Sequence, residues 1–293
     1  MRLLIYGAGV IGSLYAVLLK EAGFDVTIYA RGNRLKQLQR DGLKYIDHNK
    51  VKIAKIKIIC KLEPDDKYHY IFLTVREEQA EAALLELRDN KSANIVTMVN
   101  SIKLYSEWEN MCGNGRILPA FPGAGGSIED GVLDASLTPW IIQPTTFGEI
   151  DGNRTKRQLV LADIFKKSHI PYQIVSDMHK WQVSHLAMVV PIADAYYMSN
   201  EPIAVYKDKS IMDITARRMK HNFKHLYKMK MLSPFKFSLF IICPTWLLSL
   251  VLKYVFKSNF GNKFMYRHSM KSPKEMSDLH NKFYAFMREE LLI

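Results

Sequence analysis

The sequence predicts an α/β fold with a doubly wound, mainly parallel sheet, followed by an all-helical C-terminal domain. The first half of the chain alternates short apolar segments, typical of strands, with helical patterns. A glycine-rich turn, GAGVIG, separates the first predicted strand from the first predicted helix. Beyond residue 168 helical patterns dominate, so we expect one domain at residues 1–168 and a second at residues 169–293.

Short apolar runs bounded by charges or glycines predict the strands of this sheet. They lie at residues 3–6, 25–30, 51–59, 70–75 and 95–99. The helices are predicted from apolar spacings of three and four residues, and they cover residues 13–22, 34–40 and 77–89. The last of these is rich in Ala, Leu and Glu, which are strong helix formers. This alternation is typical of an open sheet with helices on both faces.

The pattern changes between residues 118 and 152, where glycine and proline are frequent and turn signals such as Asp130-Gly131 recur. We expect short strands here, added antiparallel at the far side of the sheet. Residues 155–168 predict a helix that is broken by His169-Ile170-Pro171. This break places the domain boundary near residue 168.

The composition is that of a globular protein, with 48% hydrophobic and 24% charged residues among 293. The formal net charge of +12 favours anionic ligands, nucleic acids or anionic membrane surfaces without choosing among them. Because no dense Lys/Arg tract occurs, we interpret the charge as abundant surface lysine and expect no nucleic-acid partner. Cys60, Cys112 and Cys243 are far apart without C-x-x-C spacing, which argues against a disulfide framework and favours a reducing cytoplasm.

One uncharged apolar segment, FSLFIICPTWLLSLVL at residues 237–252, raises the question of membrane contact. It lies between Lys236 and Lys253, is shorter than the ~20 apolar residues that a spanning helix needs, and contains Pro244. Pro244 suits the first position of a helix that continues through Trp246 and the following leucines. We expect no spanning segment and interpret this helix as a buried core or dimer-interface element, with membrane-surface contact as the alternative.

The turn GAGVIG carries glycines at positions 7, 9 and 12, between a predicted strand and a predicted helix. This context is typical of a Rossmann-like dinucleotide-binding motif. Gly7 permits the tight turn, Gly9 lets the backbone approach a pyrophosphate, and Gly12 lets the helix pack closely on the strand. The N-terminus of the helix offers unpaired N–H groups to the phosphates. The residues expected to contact the cofactor here are Gly7, Ala8, Gly9, Val10, Ile11 and Gly12.

The end of the second predicted strand indicates which dinucleotide is bound. NAD sites usually place Asp or Glu there to hold the ribose hydroxyls, whereas this chain reads IYARGNR, without an acidic residue. Arg31, together with Arg34, is suited to pair with the 2′-phosphate of NADP. We therefore predict NADP as the cofactor, the alternative being that Arg31 is a solvated surface residue.

Four segments, GAGVIG, ARGNRLKQLQRDGL, YIFLTVREEQ and IVTMVNSI, follow one another in the order and spacing of a known enzyme family. In these segments the chain resembles the ketopantoate reductases (2-dehydropantoate 2-reductases), and the resemblance covers the N-terminal domain. It implies an NADP-binding domain followed by a helical substrate domain. Such enzymes often form dimers, so we expect a homodimer.

The resemblance extends to individual positions. Asn100 matches an asparagine that the family places between cofactor and substrate, although Ser101 replaces the glycine that follows it in the family. Arg76 stands where the family usually has a lysine near the cofactor, and Ala124 of FPGAGG lies where the family contacts the cofactor again. The further cofactor contacts implied by the resemblance are Thr74, Val75, Arg76, Asn100 and Ala124.

The second domain departs from the family at its catalytic positions. The family places a catalytic lysine two residues after a tryptophan, with asparagines four and eight residues later on the same helix face. Counted from Trp181, those positions hold Val183, Ala187 and Pro191. The sequence thus predicts an intact cofactor domain without the groups that reduce ketopantoate, and an apolar wall that suits a less polar substrate.

Other side chains of this domain can supply the proton that accompanies hydride transfer. His185, one turn after Trp181, suits a general acid near neutral pH, and Lys180 lies about one turn before the missing lysine. His268 and Glu275 are seven residues apart, a spacing that a continuous helix would place on one face. For each histidine the alternative is a core or interface residue with a satisfied hydrogen bond.

These observations predict an NADP-dependent oxidoreductase acting on a small keto or hydroxy compound other than ketopantoate. Asn100 would orient the substrate, and His185 or Lys180, helped by His268 and Glu275, would carry the proton. The alternative is a catalytically inactive NADP-binding sensor or partner-binding protein on the same scaffold.

A further histidine pair, His221 and His225, has the spacing of metal ligands on a helix. Its surroundings, MKHNFKHLYK, are basic, so we interpret the pair as part of a solvated helix face and predict no metal site.

Overall fold

The structure, a computed structural model, describes residues 1–289 except for the side chains of His268 and Glu289. It divides the chain into two compact units, Met1–Met178 and a second unit that begins at His179. The sequence places this boundary near residue 168. The first unit continues beyond that position because the strand Tyr172–Ile174 pairs within its sheet.

The first unit is built of strands and helices that follow the predicted alternation. Its strands are β1 (Arg2–Tyr6), β2 (Asp25–Tyr29), β3 (Leu43–Asp47), β4 (Lys50–Ala54), β5 (Lys57–Ile59), β6 (Tyr70–Leu73), β7 (Ile95–Thr97), β8 (Ile117–Phe121), β9 (Ala124–Glu129), β10 (Val132–Leu137), β11 (Thr145–Phe147) and β12 (Tyr172–Ile174). Its helices are α1 (Val10–Glu21), α2 (Gly32–Asp41), α3 (Glu77–Glu86), α4 (Tyr105–Cys112) and α5 (Lys156–Lys167).

The larger sheet has eight strands in the order β12-β11-β8-β7-β6-β1-β2-β5. The strands from β5 to β8 in this order are all parallel, whereas β11 runs antiparallel to β8. The chain starts in the middle at β1, moves outward to β2 and β5, and returns to β6 on the other side of β1. This arrangement confirms the predicted doubly wound, mainly parallel sheet. Its topological switch point lies between the carboxyl ends of β1 and β6.

The smaller sheet has four strands in the order β4-β3-β10-β9. The prediction of one strand over residues 51–59 is wrong, because the chain turns at Lys55 and Ile56 and divides the segment between two sheets. β4 pairs with β3 in the smaller sheet, and β5 pairs with β2 in the larger one. Of the antiparallel strands predicted between residues 118 and 152 at the far side of the sheet, β11 is present beside β8, whereas the antiparallel β9–β10 pair belongs to the smaller sheet.

The core of the first unit lies between the larger sheet and its helices. Leu3, Leu4 and Ile5 of β1 have no exposed surface, as expected for a parallel strand that is covered on both faces. Burial of each such side chain contributes about 1.5–3 kcal/mol. Helix α1 contacts β1 and β2 of the larger sheet and β9 and β10 of the smaller one. Its buried Tyr15 hydroxyl lies 2.5 Å from the Thr145 hydroxyl of β11.

The second unit contains helices and no strand within its described residues, as predicted. Its helices are α6 (Met178–Met198), α7 (Lys209–Lys228), α8 (Leu239–Ile242), α9 (Thr245–Lys257), α10 (Arg267–Lys271) and α11 (Pro273–Glu289). Short 3-10 turns at Pro202–Lys207 and Phe235–Ser238, and a π-helical turn at Gly261–Tyr266, connect them. Asp208 caps α7 by accepting a 3.1 Å hydrogen bond from the backbone N–H of Ile211.

Helix α6 contains Pro191, which has no N–H to donate to the carbonyl of Ala187 one turn earlier. Asn222 of α7 replaces this missing donor. Its Nδ2 donates to the Ala187 carbonyl at 3.3 Å, and its side chain also hydrogen-bonds Tyr284 of α11. Asn222 is almost fully buried. A buried amide therefore joins three helices at the point where the proline interrupts the backbone ladder of α6.

We expect Asn222→Leu to lower the free energy of unfolding by about 1–3 kcal/mol, since it leaves the Ala187 carbonyl buried without a donor. Combining it with Pro191→Ala provides the control, because alanine restores the N–H that this carbonyl lacks. The loss of the Tyr284 contact is common to both backgrounds and cancels in the double-mutant cycle. Urea unfolding followed by tryptophan fluorescence should show a smaller cost in the Pro191→Ala background. Equal costs would mean that Asn222 does not act through the Ala187 carbonyl.

The apolar segment at residues 237–252 is only partly buried. Leu248 and Leu252 are in the core, but Ile242 and Trp246 are about three-quarters and two-thirds exposed. The exposed half of the segment is therefore not part of the core of this chain, and its prediction as a dimer-interface element stays a prediction. Within the described residues no single helix is long and apolar enough to cross a membrane. One pair of segments, Phe235–Ile242 and Thr245–Lys257, meets the length and composition criteria together, but it is bent by 113°.

Candidate functional site

The candidate site of the first unit lies at the switch point of the larger sheet, where ligands of doubly wound folds bind. Gly7 follows β1 and Thr74 follows β6. The Thr74 N–H donates to the carbonyl of Tyr6 at 2.9 Å, and the Thr74 hydroxyl donates to the carbonyl of Gly7 at 2.9 Å. These bonds join the two strand ends and hold the glycine turn against the sheet.

The three glycines of GAGVIG have different surroundings. Gly7 has a φ of +114°, a left-handed conformation that favours glycine. A Cβ on Gly12 would lie 2.0 Å from the Gly7 carbonyl oxygen and 2.4 Å from the Thr74 hydroxyl, so helix and strand meet here without room for a side chain. A Cβ on Gly9 would meet nothing within 4 Å. The turn is thus packed at Gly12 and open at Gly9.

The open side of the turn leads to the N-terminus of α1. Gly9 caps this helix without any side-chain hydrogen bond, and the first turn contains no acidic residue. The first N–H groups of α1 therefore keep their capacity to bind an anion, and the helix dipole favours negative charge there. Val10 and Ile11, which begin the helix, are partly exposed, whereas Ala8 is buried. These features fit the pyrophosphate of a dinucleotide.

Arg31 lies directly after β2 and belongs to a polar cluster with Tyr6, Tyr29 and Glu86. Its Nε donates to the Tyr29 hydroxyl at 2.8 Å, and its Nη2 contacts both the Tyr6 hydroxyl and Glu86. The hydroxyls of Tyr6 and Tyr29 donate to the Glu86 carboxylate at 2.7 and 2.5 Å. Their rings stack with centroids 4.3 Å apart. Arg31 is therefore held in place by three side chains, although its own side chain is 57% exposed.

The chemistry of this cluster combines one cation and one carboxylate. Burial, followed by the hydrogen bond to Glu86, raises the pKa of the Tyr6 hydroxyl, so that both tyrosines remain neutral donors. Sequence reasoning identified Arg31 but missed Glu86, which is 55 residues away on α3. No local pattern signals this contact, since it depends on the packing of α3 beside β1 and β2. The end of β2 carries no acidic residue of its own, and the carboxylate beside it is that of Glu86 on α3.

Arg34 connects α2 with the glycine turn. Its Nε donates to the Ala8 carbonyl at 3.0 Å, and its Nη2 donates to the Ser13 hydroxyl at 3.1 Å. Burial lowers the pKa of this guanidinium. The cation lies next to the open side of the turn, where it adds to the attraction for a phosphate.

Asn100 follows β7 at the same carboxyl edge of the sheet. Its Oδ1 is buried and has no hydrogen-bond partner within the described part of the chain. Such an orphaned acceptor is costly unless a ligand or solvent pairs with it. The next residue, Ser101, donates its hydroxyl to Glu77 of α3 at 2.6 Å and is almost fully buried. At the position of the family's glycine, Ser101 therefore joins the loop after β7 to α3 by a side-chain hydrogen bond.

The remaining predicted cofactor contacts lie on the same unit. Val75 is partly exposed after β6, and Arg76 is exposed at the N-cap of α3, where its backbone N–H faces the Gln79 side chain at 3.4 Å. Ala124 begins β9 and is partly exposed in the smaller sheet. Val75 and Arg76 therefore share the switch-point region with Thr74, whereas Ala124 belongs to a different sheet.

In the second unit, His185 is 5% exposed and its ring stacks on the indole of Trp181, with centroids 5.2 Å apart and an interplanar angle of 6°. Lys180 lies in the first turn of α6 and is partly exposed. Because an α-helix turns by about 100° per residue, Lys180 and His185 leave α6 about 140° apart. Val183 and Ala187, which replace the family's lysine and first asparagine, are fully buried.

The prediction that His268 and Glu275 share one helix face is wrong. Ser272 has non-helical dihedral angles and separates α10 from α11, so the two residues belong to different helices. Glu275 lies in the first turn of α11 and is partly exposed, and the side chain of His268 lies outside the described part of the structure. The proline at position 273 is the sequence signal for this break.

Asp194 of α6 belongs to a polar cluster that the sequence analysis did not predict. Asp194 lies 2.8 Å from His280 Nδ1 of α11 and 3.2 Å from Arg218 Nη1 of α7. At 100° per residue, the side chains of Asp194 and Val183 leave α6 in directions that differ by only about 20°. Asp194 is the one acidic residue of α6, which was a signal that sequence reasoning did not use.

The structure offers no metal site among the residues it describes, since no group of three or more His, Cys, Asp and Glu side chains converges there. The rings of His221 and His225 stack with centroids 6.3 Å apart. His221 is exposed and His225 is partly exposed.

Comparison with known proteins places the first unit in a defined group. A family model described as "Ketopantoate reductase PanE/ApbA" matches residues 3–150. A 2-dehydropantoate 2-reductase of Archaeoglobus fulgidus is 26% identical over 178 residues, covering 60% of this chain and 57% of that protein. Another, of Mesorhizobium japonicum, is 28% identical over 138 residues, covering 46% of this chain and 38% of that protein. The match thus spans less than two thirds of either relative.

Solved structures resemble the whole chain. The 2-dehydropantoate 2-reductase of Geobacter metallireducens superimposes with a TM-score of 0.74 and 16% identity, covering 99% of this chain and 94% of that one. A ternary complex of D-mandelate dehydrogenase with NADH and anilino(oxo)acetate superimposes with a TM-score of 0.67 and 16% identity, covering 99% of both chains. At this identity the likeness establishes the fold.

Proposed function

Because this chain belongs to the ketopantoate reductase PanE/ApbA family of oxidoreductases, we propose that it transfers hydride between NADP and a small keto or hydroxy compound other than ketopantoate. The observation that carries the proposal is the glycine turn at the switch point. It is open at Gly9, faces the uncapped N-terminus of α1, and lies next to a strand end that presents Arg31.

The residues of the first unit would hold the cofactor through charge and backbone donors. The N–H groups at the start of α1 would bind the pyrophosphate, and Arg34 would add positive charge beside it. Arg31, already oriented by Tyr29, would pair with the 2′-phosphate. The unpaired Oδ1 of Asn100 would accept a hydrogen bond from the ligand at the carboxyl end of β7.

A bound nicotinamide would supply the hydride for reduction or accept it for oxidation. The part of the chain's own residues is to orient the carbonyl and to handle the proton. In reduction, the carbonyl carbon accepts the hydride and the carbonyl oxygen accepts a proton from His185 or Lys180, so that a hydroxyl forms. Asn100 orients the substrate. His268 and Glu275 are proposed as helpers in this proton transfer, although the break between α10 and α11 removes the reason for treating them as one pair.

Two observations support a substrate less polar than ketopantoate. The positions of the family's lysine and asparagines hold Val183, Ala187 and Pro191, which offer no hydrogen bond. The structurally similar D-mandelate dehydrogenase is described in complex with NADH and anilino(oxo)acetate, an oxoacetate that carries an aromatic anilino group. We therefore propose 2-oxo or 2-hydroxy acids with apolar side chains as the first compounds to assay.

The cofactor assignment is tested by fluorescence titrations with NADPH and NADH in the same buffer. We expect Arg31→Ala to weaken NADPH binding roughly 10- to 100-fold, the effect of losing one charge-assisted pair, and to leave NADH binding nearly unchanged. Glu86→Gln is the matched variant, and it should change the affinity for NADPH in the opposite direction. It removes a negative charge that competes for Arg31 and repels the 2′-phosphate, so NADPH should bind more tightly.

Equal affinity for NADH and NADPH, unaffected by either substitution, would contradict the choice of NADP. Lack of binding of both nucleotides would contradict the whole proposal. Tight NADPH binding without turnover of any 2-oxo or 2-hydroxy acid would favour the second candidate, a catalytically inactive NADP-binding sensor or partner-binding protein. The observation that favours this second candidate is that Val183 and Ala187, at the positions of the family's catalytic lysine and first asparagine, are fully buried.

A further inference from the structure

The second unit presents an exposed apolar surface that the proposed reaction does not use. Phe235, Leu239 and Ile242 precede the bend at Pro244 and are 61–75% exposed. Trp246, Leu250 and Tyr254 follow the bend on α9 and are 42–68% exposed. These six residues, together with the lysines described below, form what we call the apolar–basic surface. So many exposed large apolar residues within 20 positions of the chain indicate an interaction site.

Helix α9 is apolar on two opposite faces. At about 100° per residue, Leu248, Leu252 and Phe256 form one row, and all three are buried. Trp246, Leu250 and Tyr254 form the opposite row. A helix that only covered a protein core would carry polar residues on its outer face. The outer row of α9 instead has the composition of a buried face and lacks a cover in the described part of this chain.

The segment before the bend, residues 235–243, packs on α7. The rings of Phe237 and Phe240 lie 5.4 and 4.7 Å from the ring of Phe223 on α7. Lys220 of α7 donates to the carbonyl of Cys243 at 2.8 Å, at the end of α8. These contacts anchor one side of the segment. The exposed positions of Phe235, Leu239 and Ile242 are therefore part of a fixed arrangement rather than the result of an unpacked loop.

The charged residues that flank this surface along the chain are all basic. Between Asp213 and Glu275 the sequence has 13 Lys and Arg residues and no Asp or Glu. Lys236 lies beside Phe235 before the bend, and Lys253 and Lys257 flank the outer row of α9, all three being exposed. Long lysine stems can lie along apolar groups while the ammonium reaches outward. An apolar centre with tryptophan and tyrosine and a lysine border is typical of proteins that lie on anionic membranes.

We propose that the apolar–basic surface docks this protein onto the anionic leaflet of a membrane, in the plane of the lipid headgroups. The aromatic and aliphatic side chains would enter the boundary between headgroups and acyl chains, and the lysines would contact the anionic headgroups. A second copy of the same face is a poor occupant, because the exposed lysines of the two copies would repel each other.

Vesicle co-sedimentation tests this proposal with the full-length protein. Vesicles of phosphatidylcholine with 30% phosphatidylserine, as an anionic probe, should bind the protein at low salt, and pure phosphatidylcholine should bind it at least ~10-fold more weakly. Raising the salt to 0.5 M should reduce the binding, because the attraction of exposed charges is screened. Trp246→Ser combined with Leu250→Ser should lower the partition coefficient at least ~10-fold.

The chain offers a matched control for this substitution. Trp140 of the first unit is 66% exposed, close to the 68% of Trp246, but it lies outside the apolar–basic surface. Trp140→Ser should leave vesicle binding unchanged. The same pair provides a spectroscopic measurement, since Trp108 and Trp181 are buried. In a Trp140→Phe background, anionic vesicles should shift the tryptophan emission to the blue, and in a Trp246→Phe background they should not.

Three results would overturn the proposal. The first is an absence of binding to anionic vesicles at low salt, and the second is binding that persists after the Trp246/Leu250 double substitution. The third is a concentration-dependent dimer that protects Trp246 from an aqueous quencher while vesicles do not, because the surface would then belong to a second copy. Circular dichroism of the double variant verifies that lost binding does not result from unfolding.

Discussion

Gly9→Ala is expected to weaken NADPH binding by at least ~100-fold while the protein keeps its thermal stability. Gly9 has a φ of −72° and extended backbone geometry, which alanine adopts without strain. The added Cβ meets no protein atom within 4 Å, so the fold does not oppose it. The methyl group would instead occupy the space where the backbone approaches the pyrophosphate, and it would separate the N–H groups of α1 from the phosphate oxygens. Loss of two charge-assisted hydrogen bonds accounts for an effect of roughly this size.

Gly12→Ala is the matched substitution three residues along the same turn. We expect it to lower the thermal stability of the protein, which Gly9→Ala should leave unchanged. The Cβ added at Gly12 would lie 2.0 Å from a backbone carbonyl, which forces α1 away from β1. Overpacking of this kind costs about 1–3 kcal/mol or more, and a lower melting temperature should accompany any loss of NADPH binding. Differential scanning fluorimetry with and without NADPH separates the two cases. A Gly9→Ala protein that binds NADPH like the wild type would show that the open side of the turn does not hold the pyrophosphate.

The contrast between these glycines also shows what the sequence made predictable. The strand, turn and first helix form from residues that are neighbours in the chain, so their spacing indicates both the fold and the separate roles of Gly9 and Gly12. The same holds for the position of Arg31 at the end of β2. Asn100 could be placed only through its resemblance to a family, and the structure adds the observation that its Oδ1 lacks a partner in the described chain.

Long-range contacts were beyond the reach of local patterns. Glu86 meets Arg31 because three parallel strands bring α3 beside the end of β2, and no spacing in the sequence reveals this. The strand predicted at residues 51–59 is continuous in hydrophobicity, yet a turn at Lys55 sends its halves to different sheets. The outer row of α9 was also missed, since an apolar run in the sequence does not indicate which of its sides the rest of the protein covers.

The departure of α6 from the family pattern makes proton transfer the step that most needs a new residue. Hydride transfer to a carbonyl creates an alkoxide-like oxygen, which a positioned acid stabilises by donating a proton. With valine and alanine at the family's positions, the candidates that we propose on this helix are His185 and Lys180. They leave the helix about 140° apart, so one substrate carbonyl cannot face both along α6. Their substitution should therefore give unequal effects.

We expect His185→Ala to lower kcat for the best 2-oxo acid substrate by about 100- to 10,000-fold, the usual contribution of a general acid. The dissociation constant for NADPH should stay within about twofold of the wild type, since His185 is not among the predicted cofactor contacts. His185→Phe is the stricter variant. It keeps an aromatic ring to stack on Trp181 at the observed 5.2 Å while removing the proton, so a purely structural role would leave kcat almost unchanged.

The pH dependence distinguishes a proton donor from a residue that only packs. The wild-type rate of reduction should fall as the pH rises, because a neutral imidazole cannot protonate the carbonyl oxygen, and this dependence should vanish in both variants. Lys180→Met, measured in parallel, should have the smaller effect on kcat if His185 is the acid. A large loss of activity for Lys180→Met, with near-normal rates for His185→Phe, would assign the proton to the lysine. Stopped-flow measurement of NADPH oxidation separates these outcomes from effects on product release, since chemistry appears in the first turnover.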